Sequence, residues 1–206
     1  MRTVLAVGAH PDDIELGCAG TLILHAQKGD RVILLVLTRG EASGNPQKRE
    51  AEVRESAGII GVHQVIVQDL PDTKVHDDRR TIDAIEEVAG RFNPDITYGP
   101  SSKDTHQDHR NTGNALLSAC RRCPIILLYE GASTQRDFTP QVFVDISSSL
   151  ATKLRATRVF GSQLANDNGR YPKAVKAIDG LAKFRGYQAG TEAAEAFEVG
   201  KFIFVL

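Results

Sequence analysis

Two short clusters bring together side chains that could do chemistry in this 206-residue chain: Ala9-His10-Pro11-Asp12-Asp13 and, 93 residues after Asp13, His106-Gln107-Asp108-His109. The first offers an imidazole and two carboxylates on a turn whose backbone Pro11 restricts. A catalytic zinc site usually takes three ligands from His, Asp, Glu or Cys and leaves a fourth position for water or substrate. His10, Asp13 and His109 would fill the three places. Asp12, His106 and Asp108 are then left over, and they are the groups hydrolysis needs beside a metal: a base for water and an acid for the leaving group. The chemistry expected is hydrolytic, with Zn2+ as cofactor.

A His-Pro-Asp turn has a plainer use, as a helix entry in which Asp12 or Asp13 accepts backbone N–H bonds. The second cluster argues against that as the whole account. Both clusters follow apolar runs that read as strands, and the ends of parallel strands are where active-site groups gather in α/β sheets.

The elements that must hold these clusters alternate. Strands are expected near Thr3 to Val7, Arg31 to Leu37, Gln64 to Val67, Asp95 to Tyr98 and Ile125 to Tyr129. Helices are expected near Gly17 to Lys28, Gln47 to Ile60, Arg80 to Arg91 and Asp108 to Arg121, the first two closed by Gly29 and Gly61. The repeated βαβ unit predicts an α/β fold with a mostly parallel sheet. Beyond Tyr129 a strand near Val142 to Ile146, helices near Ser148 to Phe160 and Pro172 to Gly186, and a terminal strand Lys201 to Leu206 are expected to flank it. Nothing in the chain suggests a linker or a repeat, so a single domain over residues 1–206 is expected.

With 25 basic and 26 acidic residues, the net charge of −1 gives no general attraction to nucleic acid or to an anionic membrane, and a small-molecule partner is expected. The apolar stretches Val4 to Ala9 and Val32 to Leu37 are too short for a signal core or a membrane span, so the expected location is cytoplasmic without membrane insertion. A homo-oligomer is compatible with this composition. Three cysteines cannot build a disulfide framework. Cys120 and Cys123 close a helix, where the dipole opposes a thiolate, so redox use is not expected; Cys18 is expected in the core.

Loops at Thr38 to Pro46, Leu70 to Arg79 and Gly99 to Thr105 follow strand ends and could ring a pocket. Arg39 and Glu41 in the first are candidate substrate contacts, and Arg49 is a third. The spacing of Arg49, Glu52 and Arg54 also predicts an exposed ion-pair face. His25, His63 and His76 stand alone and are not expected to be ligands.

These residues resemble the LmbE-like or PIG-L zinc N-deacetylases. The likeness rests on Ala9-His10-Pro11-Asp12-Asp13, Thr38-Arg39-Gly40-Glu41, the Arg49-Glu50-Ala51-Glu52 helix running to Gly61-Val62, Pro94-Asp95 and Asp104 to His109, with a weaker tail at Arg185-Gly186 and Ala194 to Phe197. The resemblance implies a Rossmann-like, three-layer α/β/α fold that hydrolyses the N-acetyl group of an N-acetylglucosamine-type compound. It implies zinc on His10, Asp13 and His109, Asp12 as general base, and His106 as a protonated imidazole that steadies the oxyanion and serves as acid. Asp108 would orient an imidazole or the metal shell. Two departures stand out: Gln107 where many relatives carry proline, and Asp104 in the stretch where some carry an oxyanion-binding tyrosine.

Two other functions fit less well. A zinc-dependent hydratase of an unsaturated dicarboxylate on the same scaffold would need cationic contacts, which Arg39 and Arg49 could supply. A metal-free nucleotide-binding module would have to place a pyrophosphate against Asp12 and Asp13, which repel it.

Overall fold

The computed structural model describes residues 1–166 and 170–203. Its centre is a seven-stranded sheet in the order β3-β2-β1-β4-β5-β7-β6. Strands β1 (Thr3–Gly8), β2 (Arg31–Thr38), β3 (Gln64–Leu70), β4 (Ile96–Pro100) and β5 (Ile125–Tyr129) are parallel. Strand β7 (Ala194–Phe202) runs antiparallel to β5, and β6 (Val142–Asp145) pairs with β7 at the edge.

Between the strands lie α1 (Asp13–Gln27), α2 (Pro46–Ile60), α3 (Arg79–Phe92) and α4 (Gln107–Ala119), followed by α5 (Leu150–Arg158), α6 (Gly161–Asn166) and α7 (Arg170–Ala189). The alternation of β1 explains the layers. Val4 and Ala6 join residues of α1, α2 and α5 in one apolar cluster, whereas Leu5 and Val7 join α3 and α4 in another. With apolar residues on both faces, β1 and β2 read as continuous hydrophobic runs, which is the mark of a parallel strand covered by helices on both sides. The expected three-layer α/β arrangement is therefore the one observed.

Two boundaries and one helix face differ from expectation. Helix α1 starts at Asp13 rather than Gly17, because its first turn is spent on polar ligand-type residues and lacks an apolar repeat. The expected terminal strand at Lys201 to Leu206 begins instead at Ala194; residues 204–206 lie outside the described ones. Glu195 obscures β7 in the sequence. It is buried, and accepts hydrogen bonds from the Gly20 and Thr21 amides and from Lys153 Nζ at 2.8, 2.7 and 2.6 Å, so a carboxylate sits where a strand normally shows an apolar side chain. The expected exposed face of α2 also fails. Arg49 and Glu52 are buried, and only the Arg54–Glu50 pair is a surface contact, at 2.7 Å.

Cys120 caps α4 and Cys123 follows in the turn, both buried. Burial pushes the Cys120 thiol up to about 12, which leaves it protonated and poorly nucleophilic at neutral pH. Changing both to serine is expected to leave turnover within about twofold while costing about 1–3 kcal/mol of stability, read by denaturant unfolding. A folded double variant that keeps its metal yet is inactive would contradict this.

Candidate active site

The strand order reverses between β1 and β4, and a crevice opens at the carboxyl ends of those strands, the usual ligand position in such sheets. The turn after β1 supplies His10, Asp12 and Asp13, while the segment after β4 supplies His106, Asp108 and His109. The first turn is pinned from β2: Thr38 donates to the Ala9 carbonyl through both its amide and its hydroxyl, each at 2.9 Å. Arg49 reaches across from α2 to donate to the Pro11 carbonyl at 2.7 Å.

Two imidazole nitrogens and both oxygens of one carboxylate converge. His10 Nδ1 lies 3.4 Å from Asp13 Oδ2 and 3.2 Å from His109 Nε2, and Asp13 Oδ1 lies 3.1 Å from His109 Nε2. A tetrahedral zinc with bonds of about 2.0–2.1 Å has ligand-to-ligand edges of about 3.3–3.4 Å. The three groups approach one another at about that spacing, with Asp13 meeting His10 through Oδ2 and His109 through Oδ1. The opposite nitrogens of both imidazoles face carboxylates, as metal-bound histidines normally require. His10 Nε2 lies 3.1 Å from both Asp72 Oδ1 and Asp108 Oδ2, and His109 Nδ1 lies 3.3 Å from Asp104 Oδ1. His10 could also share a cation with His106 and His109, or with Asp72 and Asp108. The Asp13-containing set fits better, since in it each histidine keeps one nitrogen for the metal and the other for a carboxylate.

The electrostatics follow from this crowding. Burial disfavours charge on His10, but Asp13, Asp108 and Asp72 outweigh it and hold the imidazole well above its ordinary range. His109 behaves alike, pushed up to about 10 against the effect of burial by Asp13 and Asp104. Burial opposes ionisation of Asp13, yet His109 and His10 hold it well below the carboxylate range. Asp12 goes the other way: burial and then the charge of Asp13 raise it to about 7, despite Arg49 at 3.6 Å. Asp12 also has a left-handed backbone, with φ at 100°, a conformation that Asp and Asn accept more readily than other side chains.

His106 is a different kind of imidazole. Burial, then His109 and His10, lower its pKa, so the neutral form prevails. Its Nδ1 accepts from the Asp108 amide at 3.2 Å as the cap of α4, which leaves Nε2 as the nitrogen that carries hydrogen. The ring stacks on His109 with centroids 4.5 Å apart.

Of the sequence candidates, His10, Asp12, Asp13, His106, Asp108, His109 and Arg49 come together here. Arg49 spends its guanidinium on Gly40 O, Pro11 O and Ser43 Oγ. Gly40 has φ +66°, and a Cβ there would collide with that guanidinium, so glycine is needed for both reasons. Glu41 accepts from the Asp72 amide at 2.8 Å and thus holds a loop, whereas Arg39 lies against Asp69 at 3.4 Å, outside the cluster. Gln107, in place of proline, donates to the Thr73 carbonyl at 2.7 Å and ties the β3–α3 loop to α4. His25 sits elsewhere, between Asp30 and the Tyr98 hydroxyl.

Asp72 and Ser133, which carry no local signal, belong to the site as well, and so does Asp104, which the sequence marks only as a departure from the family pattern. Asp104 accepts from the His106 amide at 2.8 Å and from the Ser133 hydroxyl at 2.7 Å, besides facing His109. Asp104→Ala is expected to weaken metal affinity by about 10–100-fold, with Asp104→Asn intermediate, in a competition titration against a chelating dye. Equal affinity in all three proteins would show that the carboxylate does not support His109.

Comparisons with known proteins give the chain a family. The family described as PIG-L, GlcNAc-PI de-N-acetylase, matches residues 5–120. The chain is 39% identical over 165 residues to the uncharacterized deacetylase YaiS of Escherichia coli, covering 76% of this chain and 89% of that protein. It is 30% identical over 192 residues to the diacetylchitobiose deacetylase of Thermococcus kodakarensis, covering 81% and 72%. Among solved structures, the conserved protein TT1542 from Thermus thermophilus superposes with a TM-score of 0.86 at 28% identity, over 100% of this chain and 98% of that one. With the family match spanning both ligand clusters and the fold reproduced end to end, the chain belongs to the PIG-L, or LmbE-like, family.

Proposed function

We propose that this protein is a zinc-dependent N-deacetylase, one LmbE/PIG-L-like domain over residues 1–206, which removes the acetyl group from a small N-acetylglucosamine-type compound. The observation that carries the reading is the His10–Asp13–His109 triangle with Asp12 beside it, at distances suited to a tetrahedral cation. Relatives named as deacetylases, one of them for diacetylchitobiose, support the substrate class. A bound cation would supply acidification of water and polarisation of the amide carbonyl.

The chain's own residues supply the rest. Asp12, close to 7, is poised to take the proton from the attacking water and to return it to the departing amine. Arg49 fixes the Pro11 carbonyl and so sets where Asp12 points. His106, neutral and with hydrogen on Nε2, is oriented to donate a hydrogen bond to the developing oxyanion without first being protonated. Asp108 and Asp72 hold His10, and Asp104 holds His109.

The dicarboxylate alternative is not favoured, because Arg39 pairs with Asp69 and leaves Arg49 without the second cation such a substrate needs. The test is a panel of N-acetyl sugars incubated with the purified protein, scoring free amine and acetate together with elemental analysis. Stoichiometric acetate and amine with one bound metal supports the reading. Absence of amine release from every sugar sinks it.

A further inference from the structure

A cavity of about 230 Å³ lies at the opposite end of the sheet from the metal ligands, where the amino ends of β1 and β4 meet the last turns of α1. Leu24 of α1, Ile96 of β4 and Val144 of β6 give it an apolar lining. Arg2 and Lys28 border it as well, and both are exposed, so they form its rim. Neither the guanidinium nor the ammonium has an ion pair or a side-chain hydrogen bond among the described residues.

The other polar groups around the cavity are already matched. His25 Nδ1 lies 2.8 Å from Asp30 Oδ2, and the other oxygen of that carboxylate accepts from the Arg2 amide at 2.7 Å. With hydrogen on Nδ1 facing Asp30, His25 Nε2 accepts from the Tyr98 hydroxyl at 3.0 Å. Burial holds Tyr98 well above the usual phenol range, so its hydroxyl stays a donor. The carbonyls at the end of α1, which would repel an anion, are taken too: those of Leu24, Ala26 and His25 accept from the amides of Lys28, Gly29 and Asp30 at 3.1, 3.0 and 3.0 Å. What remains for a ligand is a pair of cations above an apolar floor.

We propose that this cavity binds a small phosphomonoester, its head group between Arg2 and Lys28 and its carbon body on Leu24, Ile96 and Val144. A phosphomonoester carries about −1.5 to −2 charges at neutral pH, which two cations match, whereas a carboxylate would leave one of them without a partner. A cavity of about 150 Å³ accepts benzene, so this one has room for a ring beside the head group. The site is separate from the crevice that holds His10, Asp13 and His109, and it does not depend on the deacetylase reading.

The experiment titrates phenyl phosphate into 15N-labelled, metal-loaded protein and reads binding from the amide shifts, with inorganic phosphate, benzoate and phenol titrated in parallel. Saturable shifts are expected at Thr21, Leu24, His25 and Ile96, with a Kd at least about tenfold lower for phenyl phosphate than for inorganic phosphate, because only the former covers the apolar floor. Arg2→Gln/Lys28→Gln should weaken phenyl phosphate by about tenfold or more, since two charge-assisted contacts are lost. Both substituted side chains are exposed, so the double variant keeps its fold, which thermal unfolding verifies. Shifts confined to His10 to Asp13 and His106 to His109 would put the anion at the metal ligands and overturn the proposal, as would unchanged affinity in the double variant. Benzoate binding as tightly as phenyl phosphate would overturn the phosphate assignment.

Discussion

Alanine at His10, Asp13 or His109 is expected to strip the bound divalent metal and reduce amide hydrolysis to background. Each residue supplies one ligand group lying 3.1–3.4 Å from the other two, and two remaining groups cannot hold a tetrahedral ion tightly. Asp13→Ala should be the most severe, because Asp13 also balances the charge on both imidazoles. The sign of the pH dependence follows. In the metal-free protein His10 is held well above its ordinary range and His109 at about 10, so both carry protons at neutral pH that an incoming cation must displace. Apparent metal affinity should therefore rise with pH. Elemental analysis after gel filtration, paired with amine release, checks the first claim, and chelator competition across pH checks the second. Wild-type metal content in all three folded variants would refute the ligand assignment.

Asp12→Asn is expected to keep the metal while turnover falls by about 10²–10⁴. Asparagine is the informative substitution, since it preserves size and is among the few side chains at home at φ 100°, so a loss of rate reports the missing proton acceptor and not a relaxed turn. Activity that needs the Asp12 carboxylate falls as pH drops through its titration near 7; a bound cation, being positive, moves that limb to lower pH and never higher. The acid limb should vanish in Asp12→Asn. If Asp12→Asn strips the metal while Asp13→Asn retains it, the roles of the adjacent carboxylates are exchanged.

The central sheet and both ligand clusters were legible because local signals carry them. β1, β2 and β5 are unbroken apolar runs, and the clusters are short motifs with chemistry concentrated in a few residues. What was hidden depends on long-range pairing. Asp72 follows β3 in a loop marked only as polar, and nothing local indicates that it lies 3.1 Å from His10. The sequence makes Arg49 a candidate substrate contact and its helical spacing points to a solvated face, yet it is buried because two carbonyls and a hydroxyl from other segments receive its guanidinium. Glu195 hid β7 for the same reason, its partners being Gly20, Thr21 and Lys153. His106 was expected as a protonated acid; its lowered pKa comes from burial and from two histidines beside it, one of them 96 residues away in sequence (106 − 10).

Because the site is supplied by the ends of successive parallel strands, it also records the folding history of the chain. His10 and His109 are separated by 99 residues, and Asp72 arrives on β3, at the far edge of the parallel run. Pairings of that separation pay their loop-closure entropy before any contact rewards them, so they are among the slow events of assembly. A collapsed intermediate in which β3 has not docked on β2 would lack Asp72, one of the two carboxylates at His10 Nε2, and one in which β4 has not docked on β1 would lack His109 altogether. The three ligand groups meet only once β4 has docked on β1, and their full set of supporting carboxylates only once β3 has docked as well. A cation that binds there stabilises that state alone, and so acts as a proofreader that draws the population past partly assembled forms toward the finished fold.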